Sequence, residues 1–269
     1  ASTPIEVIDM GLRGFTRKIG ILKDYNANFQ CGQCHNAANR YLTYKWLKDD
    51  KPVRPEDLQK AGVSPYATEF FKDPLESWAW FKAKGWHQGV NGTTGVHYVN
   101  GSDHPHVEIM LQSKHGQAGV TCTDCHFARK ADGKAEHQPS LVKLKVENTC
   151  MRSACHGPGS KSNWTDPGQA LYTIEAIQQE YRIRVQKMEM AAKDAQRIFM
   201  KLKAGEASLP QEVKEKLETA YEKYLSARDW YLTDLSSGFH DPEGFNRTVS
   251  VVTWELRKTN AAAQGALKK

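Results

Sequence analysis

Cys122-Thr123-Asp124-Cys125-His126, Cys31-Gly32-Gln33-Cys34-His35 and Cys150-Met151-Arg152-Ser153-Ala154-Cys155-His156 together use all six cysteines of the chain, and each pair is followed at once by histidine. The first two are C-x-x-C-H. Two thiols at that spacing can each form a thioether to the two vinyl groups on one edge of a porphyrin, and the next histidine is carried under the ring to bind iron. The third motif has four residues between its cysteines. Only the ends of that loop are fixed by the chemistry, so a longer loop still delivers both sulfurs and the imidazole. The expectation is three covalently bound heme c groups, on Cys31 and Cys34, on Cys122 and Cys125, and on Cys150 and Cys155. His35, His126 and His156 are the proximal iron ligands.

Other uses of cysteine explain less. A disulfide framework suits six cysteines in an exported chain but gives no reason for a histidine after every pair. Zinc would need two such pairs converging on one ion. A thioredoxin-like motif would need a βαβ setting, and no such pattern is visible. Heme attachment to cysteine takes place outside the cytoplasm, so the motifs place the protein in the periplasm or beyond. The opening Ala1-Ser2-Thr3-Pro4, without an initiator Met or a basic-then-apolar leader, reads as the mature N-terminus left by a signal peptidase. No apolar run is long enough for a transmembrane helix. The formal charge of +6 is spread through segments that also carry acids, such as Lys214-Glu215-Lys216-Leu217-Glu218, without a basic stripe interleaved with aromatics; nucleic acid is not expected as a partner.

Along the 269 residues the character changes near residue 166. Residues 1–165 hold all three motifs and nine of the ten histidines, in short pieces with few clean hydrophobic periods. Ser77-Trp78-Ala79-Trp80-Phe81 and Trp86-His87 form an aromatic cluster with two readings, packing against heme edges or ordinary core. Gly89 to Gly101 reads as loop, with an extended piece at Val96-His97-Tyr98. In 166–269, Leu171, Ile174, Ile177, Tyr181, Val185, Met188, Ala192, Ala195, Phe199 and Leu202 recur at helical spacing. After a connector from Ala204 to Leu209, Pro210 opens a second helix running to about Ser236. Asp241 caps a third, with Pro242 at its first position. The expected fold is mainly α: a heme-packed triheme region with little regular sheet, a long antiparallel helical hairpin and a C-terminal helix. The hairpin is either self-contained or a surface for oligomerisation.

Electron-transfer hemes need a second axial ligand, most often histidine. His87, His97, His104, His106, His115, His137 and His240 are available. Here the chain resembles the pentaheme cytochrome c nitrite reductases and the related octaheme hydroxylamine and sulfite enzymes. The resemblance rests on His104-Pro105, on His115-Gly116 ahead of Gly119-Val120-Thr121-Cys122-Thr123-Asp124-Cys125-His126, and on Glu136-His137 ahead of Cys150. The long hairpin and Gly238-Phe239-His240-Asp241-Pro242 complete it. It corresponds to the C-terminal part of those proteins. The resemblance implies His240 as distal ligand of the heme on Cys31 and Cys34, and His115 as distal ligand of the heme on Cys150 and Cys155. It implies that His137 serves a heme attached upstream, outside this chain, and that the heme on Cys122 and Cys125 takes its distal ligand from the missing N-terminal part. His104 matches the histidine lining the catalytic pocket above the upstream active-site heme. The C-x-x-C-K attachment of that catalytic heme has no counterpart here. Asn36-Ala37-Ala38-Asn39, with tyrosines at Tyr41 and Tyr44, replaces an acidic residue and paired tyrosines, and Gly101-Ser102-Asp103 departs from the calcium-site pattern.

These observations give three functional expectations. The first is an electron-transfer chain of closely packed, mostly bis-histidine hemes, the C-terminal subunit of a split multiheme oxidoreductase. Its partner, a second multiheme cytochrome, would supply the ligand to the Cys122 and Cys125 heme and accept His137. In the second, His104 and Tyr41 deliver protons to a nitrogen or sulfur oxyanion at the partner's heme. The third is a stand-alone or polymeric carrier, in which His137 ligates a neighbouring copy, and His87, His97 or His106 can also close the open position on the Cys122 heme.

Overall fold

The computed structural model describes residues 5–12, 15–22, 26–32, 35, 47–49, 51–53, 71–99, 105–127 and 139–267. The fold is mainly α. An antiparallel hairpin of β1 (Ile5–Leu12) and β2 (Phe15–Leu22), in register Leu12 to Phe15, precedes the first motif; helical periodicity gave no sign of it. α1 (Asn28–Gly32) carries Cys31. Two-residue strands β3 (Leu47–Lys48), β4 (Lys51–Pro52) and β5 (Trp86–His87) form a small sheet in the order β4-β3-β5. β6 (Gly89–Val90) and β7 (His97–Tyr98) form another, as the extended reading of 96–98 anticipated.

α2 (Pro74–Ala83) begins where Asp73 accepts from the backbone N–H groups of Leu75 and Glu76 at 2.9 Å. Its aromatics pack with one another and with the core. Trp80 meets Phe81 edge-on at 4.7 Å and Trp86 at 5.7 Å, and this cluster joins the main hydrophobic core. On the same helix Lys82 reaches the buried Glu222 at 2.6 Å, with the Trp78 indole donating to Glu222 at 3.3 Å. The aromatics therefore weld α2 to the C-terminal helices.

Between them lie α3 (His106–Gln112), α4 (Lys114–Gln117), α5 (Cys122–His126), a 3₁₀ turn over Pro139–Lys145 and α6 (Val146–Thr149). The long helices follow as expected: α7 (Pro167–Lys203), α8 (Gln211–Leu232) and α9 (Pro242–Leu267). Asp166 accepts from the Gly168 N–H, Pro167 stands at the first helical position, and Gly205, at φ 73°, closes the far end. Gln196 with Tyr221, Glu189 with Tyr224, and Tyr181 with the Tyr231 carbonyl make α7 and α8 antiparallel. α9 lies against both, through Asn260 to the Ala191 carbonyl and Lys223 to Glu255. Trp230, Tyr221, Phe245, Met188 and Leu217 are fully buried between them.

Two details differ from the sequence reading. Pro210 is the residue before α8 rather than its first turn. α8 also stops at Leu232 instead of Ser236, because Asp234 turns inward and Ser237, at φ 53°, leaves the helical region.

Candidate functional site

The first and third motifs close with the same backbone bond. His35 N–H donates to the Cys31 carbonyl at 2.9 Å, a one-turn bond that sets the histidine beneath its first cysteine. In α5 the corresponding residues share a helical turn, so Cys122, Cys125 and His126 project on one face. The variant third motif reaches the equivalent arrangement over two more residues. His156 N–H donates to the Cys150 carbonyl at 3.0 Å, while Cys155 and Gly157 N–H both return to the Arg152 carbonyl and absorb the extra length in a tight turn. A Cβ on Gly157 would collide with the Met151 carbonyl, so the turn requires glycine there.

The motifs gather around α5. Buried Asn28, from α1, accepts the Cys122 N–H at 2.7 Å and so pins the first motif to the second. Burial pushes the Cys122 thiol up to about 12, helped by the neighbouring Cys31. Burial raises Cys125 to about 11, with Cys150, Asp124 and Cys155 beside it and Arg152 opposing. Redox-active C-x-x-C thiols are shifted the other way. Arg152 donates to Asp124 at 3.1 Å, tying the third motif to the second. Among the described cysteines, Cys31, Cys122, Cys125, Cys150 and Cys155 are all free of disulfides.

Imidazoles run through the same region. His35 and His106 are 5.2 Å apart between ring centroids, His106 and His240 5.7 Å, His240 and His126 6.1 Å. His115 faces His156 at 5.9 Å with rings nearly perpendicular. The structure thus brings together His35, His106, His126 and His240, and separately His115 and His156. Burial lowers the His115 pKa, and the nearby imidazoles of His156 and His240 lower it further. Trp164 stacks on His156 at 4.6 Å and Ser162 Oγ lies 2.9 Å from its Nδ1, fixing that ring from behind. Cys34, His104, His137, Tyr41, Tyr44, Asn36–Asn39 and Gly101–Asp103 lie outside the described residues.

Sequence reasoning missed Asp234, which is fully buried and accepts from His240 Nδ1 at 2.9 Å. Burial alone would raise its carboxyl, but the hydrogen bond and charge of His240, the Ser236 hydroxyl and His106 hold it below the ordinary carboxylate range. A carboxylate six residues before a candidate ligand was the available signal, hidden because the helix was extended across it. The donor set fits heme c: paired thiols with an imidazole one backbone bond away, and further imidazoles close by. Heme c supplies a one-electron iron couple whose potential depends on axial ligands, burial and hydrogen bonds.

A family model described as cytochrome c552 matches residues 26–269. A cytochrome c-552 from Bacteroides thetaiotaomicron is 28% identical over 138 residues, 47% of this chain and 22% of its own length. The cytochrome c nitrite reductase subunit NrfA of Nitratidesulfovibrio vulgaris is 23% identical over 223 residues, 79% of this chain and 40% of its own. The nitrite reductase catalytic subunit of Desulfovibrio desulfuricans, solved with attention to its two calcium sites, superposes with a TM-score of 0.62 at 18% identity. That match covers 96% of this chain and 59% of the reductase, a likeness of fold. The chain spans between about a fifth and three fifths of the length of these relatives.

Proposed function

The chain belongs to the cytochrome c552 family of multiheme cytochromes c, nitrite reductase-like proteins that bind heme c covalently, and from that premise we propose that it carries electrons through three heme c groups as one part of a larger oxidoreductase. The hemes sit on Cys31 and Cys34, on Cys122 and Cys125, and on Cys150 and Cys155, with His35, His126 and His156 as proximal ligands. His240 and His115 are the distal ligands of the first and third. The observation that carries this reading is the backbone bond from the motif histidine to the carbonyl of its first cysteine, made by both His35 and His156 across motifs of different length, together with the facing of His115 and His156.

The second heme takes its distal ligand from a partner cytochrome, which also uses His137. Assembly takes place in the periplasm or beyond. No described helix is long and apolar enough to cross a membrane.

The test is to purify the chain from a host that attaches heme c, with and without its co-purifying partners. Pyridine hemochrome and intact mass should give three hemes per chain. The isolated chain should show one heme that is high-spin or open to carbon monoxide, becoming low-spin in the complex. Fewer than three hemes would remove the variant motif from the list of sites. An isolated chain that is low-spin at every heme would remove the partner.

A further inference from the structure

The loop from Thr233 to Asp241 joins α8 to α9 and is held tightly. Gln178 donates to the Ser236 carbonyl at 2.9 Å, and Gly238, at φ 80°, packs so closely on Tyr181 that a Cβ would come within 2.7 Å of its ring. At its centre Asp234 points inward, its side chain fully shielded. Oδ1 accepts from His240 Nδ1 at 2.9 Å and from the Ser236 N–H at 3.1 Å, and Oδ2 accepts from the Ser236 hydroxyl at 2.6 Å. The same Oδ1 lies 3.9 Å from His106 Nε2, and His106 Nδ1 is 3.2 Å from His35 Nδ1.

The tautomer follows from a carboxylate that can only accept. His240 must carry its proton on Nδ1, which leaves Nε2 with its lone pair. His106 Nε2, at 3.9 Å, is beyond hydrogen-bond distance of the carboxylate, so Asp234 fixes the tautomer of His240 alone.

We propose that Asp234 is a positioning residue for heme ligation, orienting His240 so that a buried carboxylate sets the tautomer and donor strength of the distal imidazole of the heme on Cys31 and Cys34. This rests on the reading of His35 and His240 as that heme's ligands. A carboxylate behind an iron-bound imidazole makes the ligand more basic and favours the oxidised iron.

The experiment is a spectroelectrochemical titration of the holoprotein, with electron paramagnetic resonance of the oxidised form. Asp234→Asn keeps an acceptor for His240 and removes the charge. It should leave heme content and low spin unchanged, while one heme becomes about tenfold more reduced at fixed potential, equivalent to about 59 mV for one electron. Ser236→Ala takes a hydrogen bond from the carboxylate, strengthens it as an acceptor, and should shift the same heme less and in the opposite direction, which a general loosening would not do. Unchanged titrations in both variants overturn the proposal. His240→Ala distinguishes the two levels of argument. If it turns one heme high-spin while Asp234→Asn and Ser236→Ala shift nothing, Asp234 has no such role and the ligand assignment stands. If every heme stays low-spin in His240→Ala, the ligand assignment falls and the role of Asp234 falls with it.

Discussion

Residues 167–267 and residues 105–165 hide apolar surface with different materials. The first region uses helices of 37, 22 and 26 residues whose own side chains interlock, with Trp230, Tyr221, Phe245, Leu217 and Met188 fully shielded. In the second, the α-helices among the described residues have 7, 4, 5 and 4 residues, and the described buried apolar side chains are chiefly Val107, Ile109, Met110 and Val146. Helices of four or five residues are not stable alone, since nucleation costs more than one turn returns. In this family the motifs hold covalent heme c, and on the proposed reading that heme orders the second region while side chains order the first.

The largest expected effect tests that division. When the chain is made without heme attachment, amide hydrogen exchange should be fast through Cys122–His126 and Val146–Thr149. Protection should persist in the middle of α7, α8 and α9. Equal protection in both regions would show that the short helices are self-sufficient, and the contrast would collapse. In the holoprotein, Trp230→Ala should cost about 3–5 kcal/mol by urea unfolding, the usual range for removing a large buried aromatic, with heme content unchanged. A cost below about 1 kcal/mol would mean that the helical core collapses easily around the gap.

The same contrast explains what was legible beforehand. Ile174, Tyr181, Met188, Ala195 and Phe199 repeat at helical spacing because they pack on other side chains, and they marked α7 from sequence alone. Asp241 and Pro242 announced α9, where Asp241 accepts the Gly244 N–H at 3.1 Å. The cysteine motifs were legible for a chemical reason, since thioether and iron bonds dictate residue types at fixed spacing. Asp234 and Asn28 were not, and His106 was read as an available ligand without its place beside His35. Each acts on a residue far away in sequence, Asn28 on Cys122 and His106 on His35, or from a loop that periodicity mistook for helix. The β1–β2 hairpin escaped for a related reason: it pairs with itself and contributes nothing to the helical repeat.

The joint between α2 and the long helices offers a smaller test. Glu222 is buried and paired with Lys82, whose side chain is about half exposed. Lys82→Met should cost about 1–3 kcal/mol, because it strips a charged partner from a buried carboxylate. Adding Glu222→Gln should recover part of the loss, since the unpaired charge is then gone. If the double variant is no more stable than the single one, the cost lies in the packing of the lysine stem over α8 and not in the ion pair.

Arg152 supplies the smallest effect and the sharpest ranking. It lies within the longer spacer of the third motif and donates to Asp124 Oδ1, while Asp124 Oδ2 independently accepts the Thr121 N–H at 2.8 Å. Replacing Arg152 by Ala therefore leaves the start of α5 intact and removes only the bridge between two motifs. Both side chains are a third or more exposed, so solvent screens the pair. The loss should be about 0.2–1 kcal/mol and should shrink further as salt is raised. Both ends of the bridge also lie beside cysteines that hold heme in the proposed reading, and those covalent bonds would enforce whatever geometry the ion pair favours. If Arg152→Ala destabilises the holoprotein more than Lys82→Met does, side-chain contacts govern the motif region after all, and it is folded by the same means as the helices beside it.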